Sequence, residues 1–175
     1  VKNFLILGLP RSRTAWLANF LTYKNSFCYH DLLAYCKDEQ ELKNKMNLFG
    51  YDFIGTADTA GFLLPKHDLF KHAPKVIIHR DSDDVIKSLE NFLNASVSKK
   101  WIRYIDEQLN KVKGLHVNYS EINNNLEKIW HHCLNVPYNH ERAKLLSNFN
   151  VVINDVELQG AGAEFTVELM GKYDG

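Results

Sequence analysis

Apolar residues along the chain alternate between two rhythms, short unbroken runs and longer stretches with helical spacing. Phe4-Leu5-Ile6-Leu7 is an unbroken run that ends at Gly8, and Ala15 to Tyr23 then carries apolar side chains at helical spacing. That order predicts a strand, a tight loop and a helix. Ser26 to Tyr29 and Tyr51 to Gly55 are further predicted strands, with a polar helix over Asp38 to Met46 between them. Lys75 to His79 is another strand. Asp81-Ser82-Asp83-Asp84 follows it and supplies the side-chain oxygens that a helix start needs, and Val85, Ile86, Leu89, Phe92 and Leu93 continue as the helix. Trp101, Ile102, Ile105 and Leu109 mark another helix, Leu115 to Tyr119 a strand, and Ile122 to Cys133 a helix with Leu126, Ile129 and Trp130 inward. Pro137 stops that helix, and Glu141 to Leu146 forms a short last one. Residues 150 to 175 form a C-terminal extension, readable as one or two edge strands around Val151-Val152-Ile153 or as a mobile tail.

Strands that alternate with helices imply parallel strands joined by crossovers. The expected fold is therefore α/β, a three-layer parallel sheet flanked by helices, with ligands at the carboxyl ends of the strands. At 175 residues the chain is expected to form a single domain over residues 1 to 175. An apolar share of 45% and a charged share of 24% are those of an ordinary globular protein. The 21 basic and 21 acidic side chains cancel, so neither a broad nucleic-acid surface nor a membrane-binding face is expected, and any anion site must be local. Cys28, Cys36 and Cys133 are odd in number and unrelated in spacing, which fits a reducing compartment and makes cytoplasm the expected location. The first apolar run is far too short to span a membrane.

Gly8-Leu9-Pro10-Arg11-Ser12-Arg13-Thr14-Ala15-Trp16 joins the first strand to the first helix, where backbone amides and the helix dipole favour an anion. Arg13, Thr14 and Ala15 stand where a triphosphate-binding loop would need Gly, Lys and Ser or Thr. Both the phosphate-binding Lys and the magnesium-holding hydroxyl are therefore missing. A plain turn with a solvated cation and a core tryptophan is the competing interpretation of these residues. Downstream, Arg80 ends the strand at His79, and Ser88 lies eight residues further on inside the next helix, so that both can approach one anion.

The two segments together resemble the donor site of sulfotransferases. Pro10, Arg11, Ser12, Thr14 and Trp16 match in register a phosphosulfate loop that runs Pro-(Lys/Arg)-Ser-Gly-Thr-Thr-Trp. Arg80, Asp84 and Ser88 match the family's Arg-x-Pro-x-Asp-x-x-x-Ser segment. Arg13 and Ala15 replace a Gly and a frequent Thr of the first pattern, and Ser82 replaces the Pro of the second. The resemblance implies a P-loop sulfotransferase-like fold that uses 3′-phosphoadenosine 5′-phosphosulfate (PAPS) without a metal. It implies that Arg11 reaches the oxygen between phosphate and sulfate, Ser12 and Thr14 bind the 5′-phosphate, Arg80 and Ser88 bind the 3′-phosphate, and Trp16 lies near the adenine. Tyr119, before Glu121, resembles a family tyrosine that helps enclose the adenine. The implied partners are the nucleotide donor and a small-molecule or glycan acceptor with a hydroxyl or amine.

Sulfuryl transfer needs a base near the acceptor. His30 and Asp31, after the second strand, are candidates, and Asp58, expected in a turn after the third strand, is their rival. Packing of His30, helix capping by Asp31 and an Asx turn at Asp58 are the structural alternatives. His67 is a more distant candidate. His131-His132-Cys133 does not form a zinc site, because consecutive helical residues point in different directions. Two other functions share these residues: a small-molecule kinase, against which the absent loop Lys counts, and a non-catalytic binder of adenosine 3′,5′-bisphosphate.

Overall fold

Successive side chains of the first strand, β1 (Lys2–Gly8), are buried on opposite faces of one sheet. Phe4 and Ile6 enter one apolar cluster, and Leu5 and Leu7 the other. That is why the run is continuous rather than alternating: both faces of the strand are covered. The computed structural model describes residues 1–59 and 68–147. The proposed 150–175 extension and His67 lie outside them.

In chain order β1 is followed by α1 (Thr14–Leu21), β2 (Ser26–His30), α2 (Leu32–Tyr35), α3 (Glu39–Lys45), β3 (Phe53–Asp58), β4 (Lys75–His79), α4 (Ser82–Leu93), α5 (Lys99–Leu109), β5 (Leu115–Asn118), α6 (Leu126–Leu134) and α7 (His140–Ser147). The strands are all parallel, in the order β2-β3-β1-β4-β5. Helices α1, α6 and α7 pack on the face of Phe4 and Ile6, and α2 to α5 on the face of Leu5 and Leu7. The expected three-layer α/β architecture is the observed one. Large fully buried side chains such as Trp130, Phe4 and Phe20 each contribute about 2 to 3 kcal/mol to holding the layers together. No helix among the described residues is long and apolar enough to cross a membrane.

Chain order reverses around β1, which has β3 on one side and β4 on the other. The crevice at such a reversal is where open α/β sheets bind ligands. The helix that leaves this point is fixed at its far end. The buried Arg142 of α7 donates through Nε to the Phe20 carbonyl at 3.1 Å, and through Nη2 to the carbonyls of Asn19 and Thr22 at 2.7 and 2.5 Å. A cation on the last carbonyls of α1 satisfies orphan acceptors and complements the helix dipole.

Two boundaries and one element differ most from the sequence expectation. β3 runs to Asp58, three residues beyond the predicted end, so Gly55, Thr56 and Ala57 lie in a strand and not in a turn. Pairing on both sides, with Phe4 opposite Gly55 and Cys28 opposite Gly55, holds them there. A Cβ on Gly55 would come within 2.2 Å of the Phe4 ring, so the glycine makes room for the ring. The one-turn helix α2 was not expected. The predicted helix at Ile122 starts as α-helix only at Leu126, because Asn123-Asn124-Asn125 favours turns and here forms a 3-10 turn. Asp81 caps α4 as expected, accepting from the amides of Asp83 and Asp84 at 3.0 Å.

Candidate functional site

The loop after β1 reaches α1 through two residues in left-handed conformation, Arg11 with φ 65° and Arg13 with φ 62°. Each costs about 1 kcal/mol or more relative to glycine, so the surrounding contacts must hold the shape. The turn wraps the Ser12 side chain inward: it is fully buried, and its Oγ has no hydrogen-bond partner among the described residues. Thr14 opens α1. No side chain caps the helix, which leaves its first amides facing the loop. Pro10 is partly exposed at the turn, and Ala15 is partly buried in the first turn of α1.

The loop after β4 meets this turn directly. Arg80 Nη1 donates to the carbonyl of Arg11, and Arg11 Nε donates to Ser88 Oγ of α4 at 3.4 Å. The two sequence segments therefore converge on Arg11. Each arginine of this edge also lies over an aromatic ring: Arg11 over Phe92 at 4.6 Å, Arg80 over Tyr119 at 4.4 Å and Arg13 over Trp16 at 4.4 Å. Arg13 also donates to Asn123 Oδ1 at 2.9 Å. Among the described residues none of the three forms an ion pair. Rings and neutral acceptors position the cations without neutralising them, which leaves their charge for an anionic ligand. Burial lowers the Arg13 pKa, and Tyr119 acts against that shift.

Trp16 itself is only 3% exposed; its indole stacks on Phe20 at 5.3 Å and donates Nε1–H to the Leu146 carbonyl at 3.0 Å. It is a core residue with Arg13 on its ring. Tyr119 sits in the 3-10 turn after β5 and supports Arg80. Asp84 is exposed in the first turn of α4, its amide bound by Asp81.

On the other side of β1 the chemistry changes. His30 ends β2, with Nε2 3.2 Å from Thr14 Oγ1 and 3.5 Å from Asp31 Oδ2. Its Nδ1 is buried and has no partner among the described residues. Burial lowers the His30 pKa despite the opposing charge of Asp31, which keeps the ring neutral near pH 7. Asp31 does not cap α2 with its side chain; its Oδ1 instead accepts from Thr59 N at 3.0 Å and Thr59 Oγ1 at 3.2 Å.

Asp58 is not in a turn. It is the last residue of β3, fully buried, and accepts from Thr56 Oγ1 at 2.5 Å and from the Leu33 amide at 3.0 Å. Burial pushes its carboxyl up to about 7, against the hydrogen bonds from Thr56 and Leu33 and with help from the charge of Asp31. Thr56 Oγ1 also accepts from the Leu32 amide, so Asp58 ties β3 to α2.

No protein-family model matches the chain, and no curated protein matches it. Among solved structures the chain is similar to the crystal structure of mouse sulfotransferase SULT7A1 complexed with PAP, with a TM-score of 0.57 and 14% sequence identity. The similarity covers 83% of this chain and 62% of that one, so this chain spans less than two thirds of that protein's length. The fold is sulfotransferase-like.

In this sulfotransferase-like fold the convergent loops lie at the carboxyl edge of the sheet. Cavities of about 340 and 220 Å³ open at the opposite edge, around Asn3 and Pro74 and around Tyr23 and Trp130. Neither includes a residue of the two loops. Among the described residues no three His, Cys, Asp or Glu side chains gather as a metal site would require. His131 reaches toward Glu127 and His132 toward the Lys75 carbonyl, while Cys133 is buried in the core. Phe92, Asn123, Thr56 and Thr59 are site-supporting residues that sequence reasoning did not single out. Phe92 alone had a usable signal, since it stands four residues after Ser88 on the same face of α4.

Proposed function

We propose that the chain is a sulfotransferase that moves a sulfuryl group from 3′-phosphoadenosine 5′-phosphosulfate to a hydroxyl or amine acceptor. The observation that carries this assignment is the meeting of two anion-binding arms at Arg11, through the Arg80 bond to its carbonyl and its own bond to Ser88, with no carboxylate paired to either arginine among the described residues. One phosphate would be caught by a loop and helix N-terminus alone. Two arms at adjacent strand ends suit a nucleotide with separate 5′ and 3′ groups. Similarity to a sulfotransferase complexed with PAP supports the same class of ligand.

The buried Ser12 hydroxyl and the first amides of α1 would hold the 5′-phosphate, and Arg80 with Ser88 the 3′-phosphate. In the transfer step the acceptor oxygen attacks sulfur and gives its proton to His30. A new O–S bond forms as the bond between sulfur and the 5′-phosphate oxygen breaks. That electron pair leaves on the phosphate of adenosine 3′,5′-bisphosphate, where Arg11 stabilises the developing charge. Asp31 Oδ2, 3.5 Å from His30 Nε2, would stabilise the imidazolium that forms. Asp58 is the rival proton acceptor, with its oxygens already engaged by Thr56 and Leu33.

Calorimetry with adenosine 3′,5′-bisphosphate in the presence of a chelator is expected to show binding that is stronger than that of ATP with magnesium. The assignment is overturned by the opposite preference. Turnover of the donor with a panel of hydroxylated and amine acceptors then separates an enzyme from a protein that only binds the nucleotide.

A further inference from the structure

Arg13 is the arginine of this edge that neither phosphate arm uses. It occupies a left-handed backbone position, where glycine is the default and a side chain is a liability. The side chain is nevertheless fixed from two directions. The Trp16 ring lies 4.4 Å below its Cζ, and Asn123 Oδ1 accepts from Nη1 at 2.9 Å. Trp16 is immobile in turn, stacked on Phe20 and bonded to the Leu146 carbonyl. Arg13 remains partly exposed, so its guanidinium keeps a side open away from the indole.

The location of Arg13 decides what could lie on that side. With His30 as the proposed base, the reacting end of a nucleotide held by Ser12 and Arg11 points toward the end of β2. The other end then points toward the β5 side of the sheet, where Tyr119 and Asn123 follow β5. Arg13, adjacent to Ser12 and bonded to Asn123, stands between the phosphate loop and that side. A guanidinium held over an indole is a flat, cationic surface suited to the π-face of a nucleobase.

We propose that Arg13 is a nucleobase-stacking plate: the base lies on its open side and completes a stack of indole, guanidinium and base, with Asn123 as the residue that positions the plate. This rests on the nucleotide assignment made above. The test compares adenosine 3′,5′-bisphosphate with 1-deoxyribose 3,5-bisphosphate, which has both phosphates and no base. In the wild-type protein the base is expected to improve affinity about tenfold, in the range of single-base stacking. Arg13→Ala and Arg13→Lys should both bring the two ligands within about twofold, since lysine restores the charge and not the plane. Asn123→Ala, on an exposed turn, should lower the ratio by about threefold. Equal weakening of both ligands by Arg13→Ala, or rescue of the ratio by Arg13→Lys, overturns the proposal and makes Arg13 a phosphate ligand. An unchanged ratio in all variants also overturns it while leaving the nucleotide assignment intact. Failure of the wild-type protein to bind either compound removes both.

Discussion

The carboxyl edge of the sheet has two halves built on opposite principles. Over β1, β4 and β5, Arg11, Arg13 and Arg80 are held by aromatic faces and neutral acceptors, and they form no ion pairs among the described residues. Over β2 and β3, His30, Asp31 and Asp58 are wired to hydroxyls and amides, and burial moves His30 and Asp58 away from their ordinary pKa values. The first half keeps charge available for an anionic ligand. The second suppresses charge, keeping an imidazole neutral and a carboxyl easily protonated near pH 7. Thr14 joins the halves: it starts the helix behind the phosphate loop and touches His30 at 3.2 Å. Under the proposed function, binding and proton transfer fall on different strands and are separable by mutation.

The separation is tested most severely at His30. His30→Ala is expected to lower the rate of sulfuryl transfer by about 10² to 10⁴-fold, the span of a lost general base, while adenosine 3′,5′-bisphosphate binds within about twofold of wild type. A comparable loss of nucleotide affinity would mean that the two halves are not distinct.

Next in size come the arginines. Arg11→Ala and Arg80→Ala should each weaken nucleotide binding about 10 to 100-fold in a titration, as expected for loss of a charge-assisted bond to phosphate. Arg80→Ala also frees the Arg11 carbonyl, so the double variant should lose less than the product of the two single effects.

Asp58 probes the suppressed-charge half through stability. Its folded value of about 7 lies above its ordinary value of 3.8, so folding favours the protonated carboxyl. That stabilisation is complete below pH 4 and is lost as the pH rises through about 7. His30 acts in the opposite sense. Its lowered pKa means that its contribution is present above 6.5 and lost as the pH falls through its folded value. Denaturant melts between pH 4 and 8 should therefore show that Asp58→Asn removes a decline in stability toward high pH, by a few kcal/mol at most. A pH profile unchanged by Asp58→Asn would mean that the carboxyl is not held in its protonated form.

The smallest effect belongs to Phe92, which is 40% exposed yet lies beneath Arg11. Phe92→Ala should weaken nucleotide binding about two to fivefold, the value of an exposed cation–π contact, and leave the melting temperature nearly unchanged.

The layered fold is legible in the chain because parallel strands covered on both faces must read as unbroken apolar runs, as Phe4 to Leu7 and Val76 to Ile78 do. The two loops are legible because Arg11, Ser12, Arg80 and Ser88 sit at strand ends in a recognisable order. The partners of the arginines are not. Tyr119 and Asn123 reach Arg80 and Arg13 only once β5 is placed beside β4, a contact between residues far apart in sequence. Asp58 was expected in a turn because Gly55 and Thr56 favour one locally. Pairing of β3 with both neighbours, and the Phe4 ring over Gly55, override that preference.

The central claim is that separate arms read the 5′ and 3′ phosphates. Affinities of adenosine 3′,5′-bisphosphate and adenosine 5′-monophosphate, measured side by side on wild type and Arg80→Ala, test it most directly. The bisphosphate should bind the wild-type protein at least about tenfold more tightly, in keeping with one additional charge-assisted contact, and Arg80→Ala should erase the difference. Equal affinity for both nucleotides in the wild type, or a difference that survives Arg80→Ala, would contradict the claim.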